Sequence, residues 1–288
     1  MPAETQNVPM FLPDYPHEIK LVVCDLDGTL VQSDLKVNET VMNAIQAVSE
    51  RGVKVVIATG RMFPSALPYV KRLGLDTPVI CYQGAVVRDT VDDYALRYEN
   101  PVPLPLAQEI VAHCQEQGLH INVYINDVLH SQPHELYVDE YKRTSSIEPV
   151  ILEDVLTVLT QDAPPKMVMI NNHPEVLEQA RQELLARYGA SRIGICKSRH
   201  NFLELTAPDV NKWSAVVALA KQWGIAPQEV MCLGDEENDV AMLAGEGLGL
   251  AMGNAPLAVQ QKAKGIVPSI LDDGAVLAMK HYILEKTP

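Results

Sequence analysis

The stretch that decides the fold is Lys20-Leu-Val-Val-Cys-Asp-Leu-Asp-Gly-Thr-Leu30. Its first half, Lys20–Cys24, is a short apolar run that predicts a buried strand. Its second half carries two aspartates, Asp25 and Asp27, followed by a glycine that permits a sharp turn. Both carboxylates can therefore face a ligand at the end of the strand, although a D-x-D pair alone more often marks a solvated turn.

Helix and strand patterns alternate after this stretch. Apolar spacing and turn residues predict four further elements: a helix over Asn38–Arg51, a strand over Val53–Ala58, a helix over Pro64–Leu73 and a strand over Pro78–Cys81. The resulting order, βαβαβ, predicts a parallel sheet with helices on both faces. Ligands of such sheets bind beyond the carboxyl ends of the strands.

The character of the sequence changes at about Val87, where prolines become frequent. The run His120–Ile125, two turn residues and the run Val128–Ser131 predict an antiparallel hairpin. A further strand is predicted at Lys166–Ile170 and a helix at Pro174–Tyr188. Together these patterns predict an α+β unit with its own sheet.

The parallel-sheet pattern is predicted to resume after residue 195. Its elements are a strand at Phe202–Leu205, a helix at Lys212–Trp223, a strand at Val230–Leu233, a helix at Asn238–Ala244, a strand at Leu248–Met252 and a helix at Asp272–Leu284. The predicted architecture is a doubly wound, Rossmann-like α/β core, residues 1–86 plus 196–288, with an inserted α+β domain, residues 87–195.

Composition excludes several classes of protein. The 288 residues include 23 Lys and Arg against 37 Asp and Glu, a net charge of −14, which argues against a nucleic-acid partner because phosphate backbones are bound by basic patches. No apolar run approaches the ~18 to 20 residues that span a bilayer, so no membrane partner is predicted. The five cysteines contain no C-x-x-C pair, and the cytoplasm is the predicted location.

Two other segments offer groups that suit a phosphate. Ala58-Thr-Gly-Arg61 ends the second predicted strand, where the Thr59 hydroxyl and turn amides such as that of Gly60 can bind an anion. Lys212 opens a predicted helix and adds a positive charge. The first segment therefore follows a strand of the predicted sheet, and the second opens a helix that packs beside the sheet.

The segment Gly234-Asp-Glu-Glu-Asn-Asp239 follows another predicted buried strand. Its Asp235 and Asp239 are four residues apart at a helix start, a spacing that aligns both carboxylates. With Asp25 and Asp27 they make four aspartates, and like charges brought close destabilise a fold. A hard divalent cation removes that cost, and carboxylate and carbonyl oxygens with waters are the preferred ligands of Mg²⁺. The sequence therefore predicts an Mg²⁺ site suited to phosphoryl transfer.

These motifs, in this order, resemble those of the haloacid dehalogenase superfamily, specifically the Cof-type phosphatases, which carry a large α/β cap inserted after the second motif. The likeness covers nearly the whole chain after about Lys20. It implies an Mg²⁺-dependent phosphatase that hydrolyses small phosphorylated metabolites, with sugar phosphates favoured, through an aspartyl-phosphate intermediate. The inserted domain would be the cap that selects the substrate.

The resemblance also implies a role for each matching residue. Asp25 would be the nucleophile, and Asp27 would protonate the leaving oxygen and then activate water. The phosphoryl group would be bound by Thr59, Gly60, Lys212 and Asn238. Mg²⁺ would be bound by Asp25, by Asp235 and by the main-chain carbonyl of Asp27, with Asp239 supporting the metal or its waters.

Departures from the family pattern bear on substrate choice. Gln83 stands where the family usually has Asn, and Trp213 stands where Gly usually follows the lysine. Gln83 is one methylene longer than Asn, and Trp213 is large enough to reshape the edge of the site. Tyr124, His130 and Asn172 on the inserted domain are more typical of ordinary sheet residues than of a pocket lining.

Three other functions are alternatives to the phosphatase interpretation. A phosphomutase on the same scaffold would hand the phosphoryl group back to the substrate instead of to water. A signalling receiver domain is also phosphorylated on an aspartate, but receivers lack a second carboxylate at the position of Asp27 and have no hundred-residue insertion. A non-catalytic phosphate sensor is disfavoured because all four aspartates are intact.

Overall fold

The computed structural model describes residues 10–32, 36–91 and 93–286. Its strands form three sheets. They are β1 (Leu21–Cys24), β2 (Lys54–Ile57), β3 (Val79–Cys81), β4 (Val86–Arg88), β5 (Leu96–Glu99), β6 (His120–Ile125), β7 (Val128–Ser131), β8 (Val150–Ile151), β9 (Met167–Ile170), β10 (Gly194–Arg199), β11 (Phe202–Thr206), β12 (Val230–Gly234), β13 (Leu248–Ala251) and β14 (Gly265–Ile266).

The α-helices lie between or after these strands along the chain. They are α1 (Glu39–Glu50), α2 (Phe63–Arg72), α3 (Leu104–Glu116), α4 (Glu135–Ser145), α5 (Pro174–Tyr188), α6 (Lys212–Gln222), α7 (Val240–Leu243), α8 (Leu257–Gln260) and α9 (Gly274–Met279), which continues as a π-helical turn over Lys280–Leu284. Short 3₁₀ helices cover Tyr82–Gly84, Val155–Val158, Pro227–Glu229, Glu237–Asp239 and Ile270–Asp272.

The first sheet is parallel and has the order β14-β13-β12-β1-β2. Buried helix residues cover both faces, with α1 and α9 in the cluster around Val22 and Cys24 and α6 in the cluster around Leu21 and Val23. Cys24 lies in register with Ile57 of β2 and with Leu233 of β12. The residues that follow these three strands therefore emerge side by side at one edge of the sheet.

Local sequence explains how α1 begins and which face it buries. Asn38 is the N-cap, and its side-chain oxygen accepts a hydrogen bond from the Thr40 backbone N–H at 3.0 Å. The buried residues of α1 lie at helical spacing and are Val41, Ala44, Ile45 and Val48. The prediction of a helix over Asn38–Arg51 is confirmed to within one residue at each end.

The second sheet has the order β10-β11-β9-β6-β7-β8, and α3 and α5 pack in its apolar cluster. The predicted hairpin is present: β6 and β7 pair antiparallel, with Ile125 opposite Val128. Asn126 and Asp127 between them have φ of 49° and 59°, the left-handed values that a two-residue hairpin turn requires and that Asn and Asp tolerate. The third sheet, β3-β4-β5, touches the first through a parallel bridge between Ala58 and Ile80.

Two strand predictions are wrong in their sheets. The predicted strand Pro78–Cys81 exists as β3, but it pairs antiparallel with β4 in the third sheet and meets the parallel sheet at the bridge of Ile80. The predicted core strand Phe202–Leu205 exists as β11, but it pairs antiparallel with β9 and β10 in the second sheet. A buried apolar run predicts a strand but does not show which strands it pairs with, and for this reason the prediction assigned it to the core sheet. The strands β4 and β5, which follow residue 85, belong to the third sheet instead, where β4 pairs with β3 and β5 pairs with β4. In place of the predicted bounds 87 and 195, we propose that the inserted unit, called the cap below, covers residues 102–206.

The sheet topology confirms the predicted fold class, a doubly wound parallel core with an inserted α+β unit. Among the described residues, no helix is long and apolar enough to cross a membrane.

Candidate active site

Asp25 and Lys212 lie at the centre of the candidate site. Asp25 is the first residue after β1, and its backbone N–H donates to the Leu233 carbonyl at 2.9 Å, which holds it beside the end of β12. Lys212 Nζ lies 2.6 Å from Asp25 Oδ1 and 2.6 Å from Asp239 Oδ1, and all three side chains are buried. The structure thus brings together three residues that the sequence separates by 214 positions at most.

The start of α6 places Lys212. Asn211 is the N-cap, and its side-chain oxygen accepts from the Ser214 N–H at 2.9 Å while the Ser214 hydroxyl accepts from the Asn211 N–H at 3.4 Å. This capping box fixes the first turn of the helix, and Lys212 is the first residue of that turn.

The charges of the cluster are unbalanced. Burial raises the pKa of Asp25 to about 7, against the opposing effect of Lys212, and Asp239 adds to the rise. Burial likewise raises the pKa of Asp235 to about 9, with Asp25 and Asp239 contributing. Burial lowers the pKa of Lys212, but the two aspartates beside it outweigh burial and leave that pKa raised. One lysine therefore does not neutralise the three buried carboxylates.

The donor set fits a hard cation. Asp25, Asp235 and Asp239 each offer an oxygen, and these oxygens lie within 4.8 Å of one another. Asp239 is already engaged, because its Oδ2 accepts the backbone N–H groups of Asp235 at 2.9 Å and Glu236 at 3.0 Å and its Oδ1 contacts Lys212. Oxygen-only donors with excess negative charge are the surroundings that Mg²⁺ prefers.

Close backbone approach makes Gly28 necessary beside Asp235. Gly28 has a φ of +77°, and a Cβ there would lie 2.1 Å from Asp235 Oδ2. The Gly28 carbonyl and Asp235 Oδ2 both accept hydrogen bonds from Asn254 Nδ2, at 2.9 and 3.2 Å. The glycine that the sequence indicated as a turn residue therefore also lets the D-x-D loop reach the third carboxylate.

The Asp27 side chain binds a partner that the sequence analysis did not assign. Arg61 donates from Nε to Asp27 Oδ2 and from a terminal nitrogen to Asp27 Oδ1, each at 2.7 Å. Arg61 is buried and also donates to Ser65 Oγ at 2.8 Å, and Ser65 Oγ donates to the Ser145 carbonyl of the cap at 2.6 Å. The arginine directly after Thr59-Gly60 was the available signal, but its partner is not visible in the sequence.

The predicted phosphate-binding residues lie around the same cavity. Thr59 is buried, and its hydroxyl oxygen accepts the Arg61 backbone N–H at 3.1 Å. Asn238 Nδ2 donates to Gln83 Oε1 at 2.9 Å, and Gln83 is buried behind it. Gln83 Nε2 and Asn238 Oδ1 are buried with no hydrogen-bond partner among the described residues.

The cavity lies between the core and the cap. Its lining includes Asp25, Asp27, Thr59, Gly60 and Asn238 from the core and Tyr141, Ser198, Phe202 and Glu204 from the cap. Trp213 does not line it, contrary to the expectation that its ring reshapes the site edge; the ring packs over Gly245. Tyr124, His130 and Asn172 are also absent from this lining, and the Tyr124 hydroxyl donates to that of Tyr141.

The chain matches the haloacid dehalogenase-like hydrolases over residues 22–279. It belongs to that family. The match covers the core and the cap, and it confirms the predicted family and the predicted enzyme class, a phosphatase hydrolase.

Individual relatives in this family match over nearly their whole lengths. The chain is 27% identical to the 5-amino-6-(5-phospho-D-ribitylamino)uracil phosphatase YitU of Bacillus subtilis, over 91% of this chain and 97% of that protein. It is also 27% identical to a phosphoglycolate phosphatase of Methanoculleus marisnigri, over 92% and 97%. A crystal structure of a haloacid dehalogenase-like hydrolase from Bacteroides thetaiotaomicron superposes with a TM-score of 0.80 at 25% identity, covering 92% and 99% of the two chains.

Proposed function

We propose that the protein is an Mg²⁺-dependent phosphatase that hydrolyses small phosphorylated metabolites, sugar phosphates above all, through an aspartyl phosphate on Asp25. One observation carries the proposal: Asp25 lies at the end of β1, is bound by buried Lys212, and lines the same cavity as Thr59 and Asn238. A nucleophile, a cation and polar donors around one small cavity are the parts that phosphoryl transfer needs.

Asp25 is held for attack by its neighbours. Lys212 binds Asp25 Oδ1, and among the described residues no side chain donates a hydrogen bond to Asp25 Oδ2. That oxygen would form the bond to phosphorus as the bond from phosphorus to the leaving oxygen breaks. The phosphoryl oxygens would be bound by Thr59, Gly60 and Asn238. The positive charge of Lys212 would compensate their negative charge.

Asp27 would protonate the leaving oxygen and afterwards take a proton from the water that hydrolyses the aspartyl phosphate. The two hydrogen bonds from Arg61 fix the plane of its carboxylate, so Arg61 is a positioning residue for this acid. Both roles require that the Asp27 side chain stays out of the metal set, and the three clustered carboxylates do not include it.

The metal would be held by Asp25, Asp235 and the Asp27 main-chain carbonyl, with Asp239 holding Lys212 and the loop at the start of α7 in place. When bound, Mg²⁺ neutralises the negative charge that accumulates where carboxylates meet a phosphate ester. The raised pKa values of Asp25 and Asp235 support this assignment, because burial and, to a lesser extent, the neighbouring carboxylates disfavour the charged forms that a bound cation would stabilise.

The substrate class follows from the cavity and from the relatives. Cap residues line the same cavity as Asp25 and Asp27, and a cavity lined from both sides favours small molecules over phosphoproteins. The relatives act on a phosphorylated ribitylamino-uracil and on phosphoglycolate, both small phosphate esters. Polar Ser198 and Glu204 in the lining, beside the stacked rings of Tyr141 and Phe202, favour a sugar-like leaving group.

A panel of phosphorylated metabolites, assayed for phosphate release with and without Mg²⁺, tests the proposal. We expect release from several sugar phosphates, only with Mg²⁺, and no dependence on an added bisphosphate. Isomerised sugar phosphate without phosphate release would instead indicate a phosphomutase. Absence of turnover across the whole panel, with a well-folded protein, would contradict the proposal.

Asp27→Asn is expected to trap the covalent intermediate. The amide cannot activate water, but Asp25 can still be phosphorylated slowly by an ester with a good leaving group such as p-nitrophenyl phosphate. Intact-protein mass spectrometry should then show one added phosphoryl group. The double variant Asp25→Asn with Asp27→Asn is the matched control and should stay unmodified; a phosphoryl group on it would place the acceptor elsewhere.

A further inference from the structure

Glu204 is a charged residue on a strand that is otherwise buried and apolar. In β11 the side chains alternate: Leu203 and Leu205 lie in the apolar cluster of the cap, while Phe202 lies in the cluster that includes the core. The alternation of a strand therefore places Glu204 on the side of the cap sheet that faces the aspartates. Glu204 is 3% exposed, and a buried carboxylate destabilises a fold unless other groups compensate for its lost hydration.

Two cap residues compensate for part of that loss. Ser198 Oγ donates to Glu204 Oε1 at 2.5 Å, and Lys166 Nζ lies 2.7 Å from Glu204 Oε2. Each carboxylate oxygen of Glu204 therefore contacts one polar group of the cap, and the Lys166 ammonium balances its charge. Glu204 nevertheless lines the cavity that contains Asp25, so a ligand there can reach it.

Lys166 ties Glu204 to the phosphate-binding loop. Its ammonium group donates to the Gly60 carbonyl at 2.6 Å, across the boundary between cap and core. Lys166 is itself buried and lies 5.0 Å from the centre of the Tyr124 ring. The carboxylate that faces the cavity is therefore held at a fixed position relative to the turn that would bind the phosphoryl oxygens.

We propose that Glu204 is a specificity-determining residue, which accepts hydrogen bonds from hydroxyl groups of the substrate's leaving group, and that Lys166 is its positioning residue. This inference rests on the proposed function and adds the group that distinguishes substrates. A carboxylate only accepts hydrogen bonds, so it favours leaving groups that carry hydroxyl groups as donors. The stacked rings of Phe202 and Tyr141, 5.7 Å apart, provide the adjoining apolar wall.

Three esters with different leaving groups test the assignment: glucose 6-phosphate, phosphoglycolate and p-nitrophenyl phosphate. In Glu204→Gln we expect kcat/KM for glucose 6-phosphate to fall about 10- to 100-fold, mainly through KM, because hydrogen bonds to a charged acceptor are lost. The value for p-nitrophenyl phosphate should stay within about threefold, and phosphoglycolate should gain relative to the sugar phosphate. Glu178→Gln removes a cap carboxylate that pairs with Lys197 outside the cavity and should change none of the three.

Lys166→Met tests the positioning role. Its ratio of glucose 6-phosphate to p-nitrophenyl phosphate turnover should shift in the same direction as that of Glu204→Gln, and the double variant should shift no further, since the two residues act as a unit. The double variant also leaves no unpaired charge buried, so it keeps the test valid if either single variant folds poorly. Ser198→Ala keeps the ion pair and should give a smaller shift of the same sign.

The outcomes distinguish failure of the role assigned to Glu204 from failure of the proposed phosphatase function. If Lys166 and Glu204 only stabilised the cap, the variants would lower the melting temperature and reduce all three substrates alike, which would overturn the role of Glu204. Unchanged ratios in Ser198→Ala and in the double variant would overturn it too. If the wild-type protein with Mg²⁺ hydrolysed none of the three esters, the proposed function itself would fail.

Discussion

Asp25→Asn is expected to abolish turnover and to leave the fold intact. The amide has the shape of the carboxylate but neither attacks phosphorus nor contributes negative charge to a metal site, so the rate should fall on the order of 10⁴-fold or more. Lys212 keeps its second partner, because Asp239 Oδ1 lies 2.6 Å from Nζ, and the capping box at Asn211 is untouched. Phosphate release from p-nitrophenyl phosphate measures the loss, and circular dichroism with thermal unfolding checks the fold.

The matched control for this variant is Asp76→Asn. Asp76 is an exposed aspartate between α2 and β3, so the same chemical change there should leave both turnover and melting temperature as they were. Substantial turnover in Asp25→Asn, with the control unchanged, would mean that another group accepts the phosphoryl group.

Periodicity and turn chemistry predict the elements that position Asp25. The βαβαβ order, the helix N-cap at Asn38 and the hairpin turn at Asn126 depend on local patterns, and the structure has them where they were predicted. Register between parallel strands then brings distant residues together. Asp25 and Asp235 converge because β1 and β12 are neighbours that end at the same edge.

Local sequence patterns do not show which strands, distant from one another in the chain, pair in a sheet. The run at Phe202 predicts a buried strand in either sheet, and only its pairing with Met167–Ile170 assigns it to the cap. The two-residue strands β8 and β14 are too short to show alternation, so no period could reveal them. Their existence depends on the neighbours to which they hydrogen-bond.

The same limit applies to the site. Motif order places the four aspartates and Lys212 at strand and helix ends, and these ends lie together in the fold. The bonds of Arg61 to Asp27 and of Lys166 to Gly60 depend on how the loops and the cap meet the core. Glu204 is a charged residue within an apolar run, but the side of the sheet that it faces depends on the pairing of β11 with β9.

Removal of divalent cations is expected to silence the enzyme completely, with Mg²⁺ restoring activity and Ca²⁺ inhibiting it. The larger, looser coordination shell of Ca²⁺ would misplace the Asp25 carboxylate relative to the phosphate. Asp235→Asn should be equally inactive, because it removes an oxygen donor from the buried set and leaves the lysine contacts of Asp25 and Asp239 in place. The measurement is phosphate release in three buffers: one with a chelator, one supplemented with Mg²⁺ and one supplemented with Ca²⁺.

Thermal unfolding gives a readout of the metal site that does not depend on turnover. A cation that binds only the folded state stabilises it by about 2.7 kcal/mol when present at about 100 times its dissociation constant. Mg²⁺ should therefore raise the melting temperature of the wild-type protein and of Asp76→Asn, and should raise that of Asp235→Asn much less. Full activity in excess chelator, or an equal Mg²⁺-induced rise in all three proteins, would exclude Asp235 as a ligand, since its buried carboxylate oxygen would then contribute nothing to cation binding.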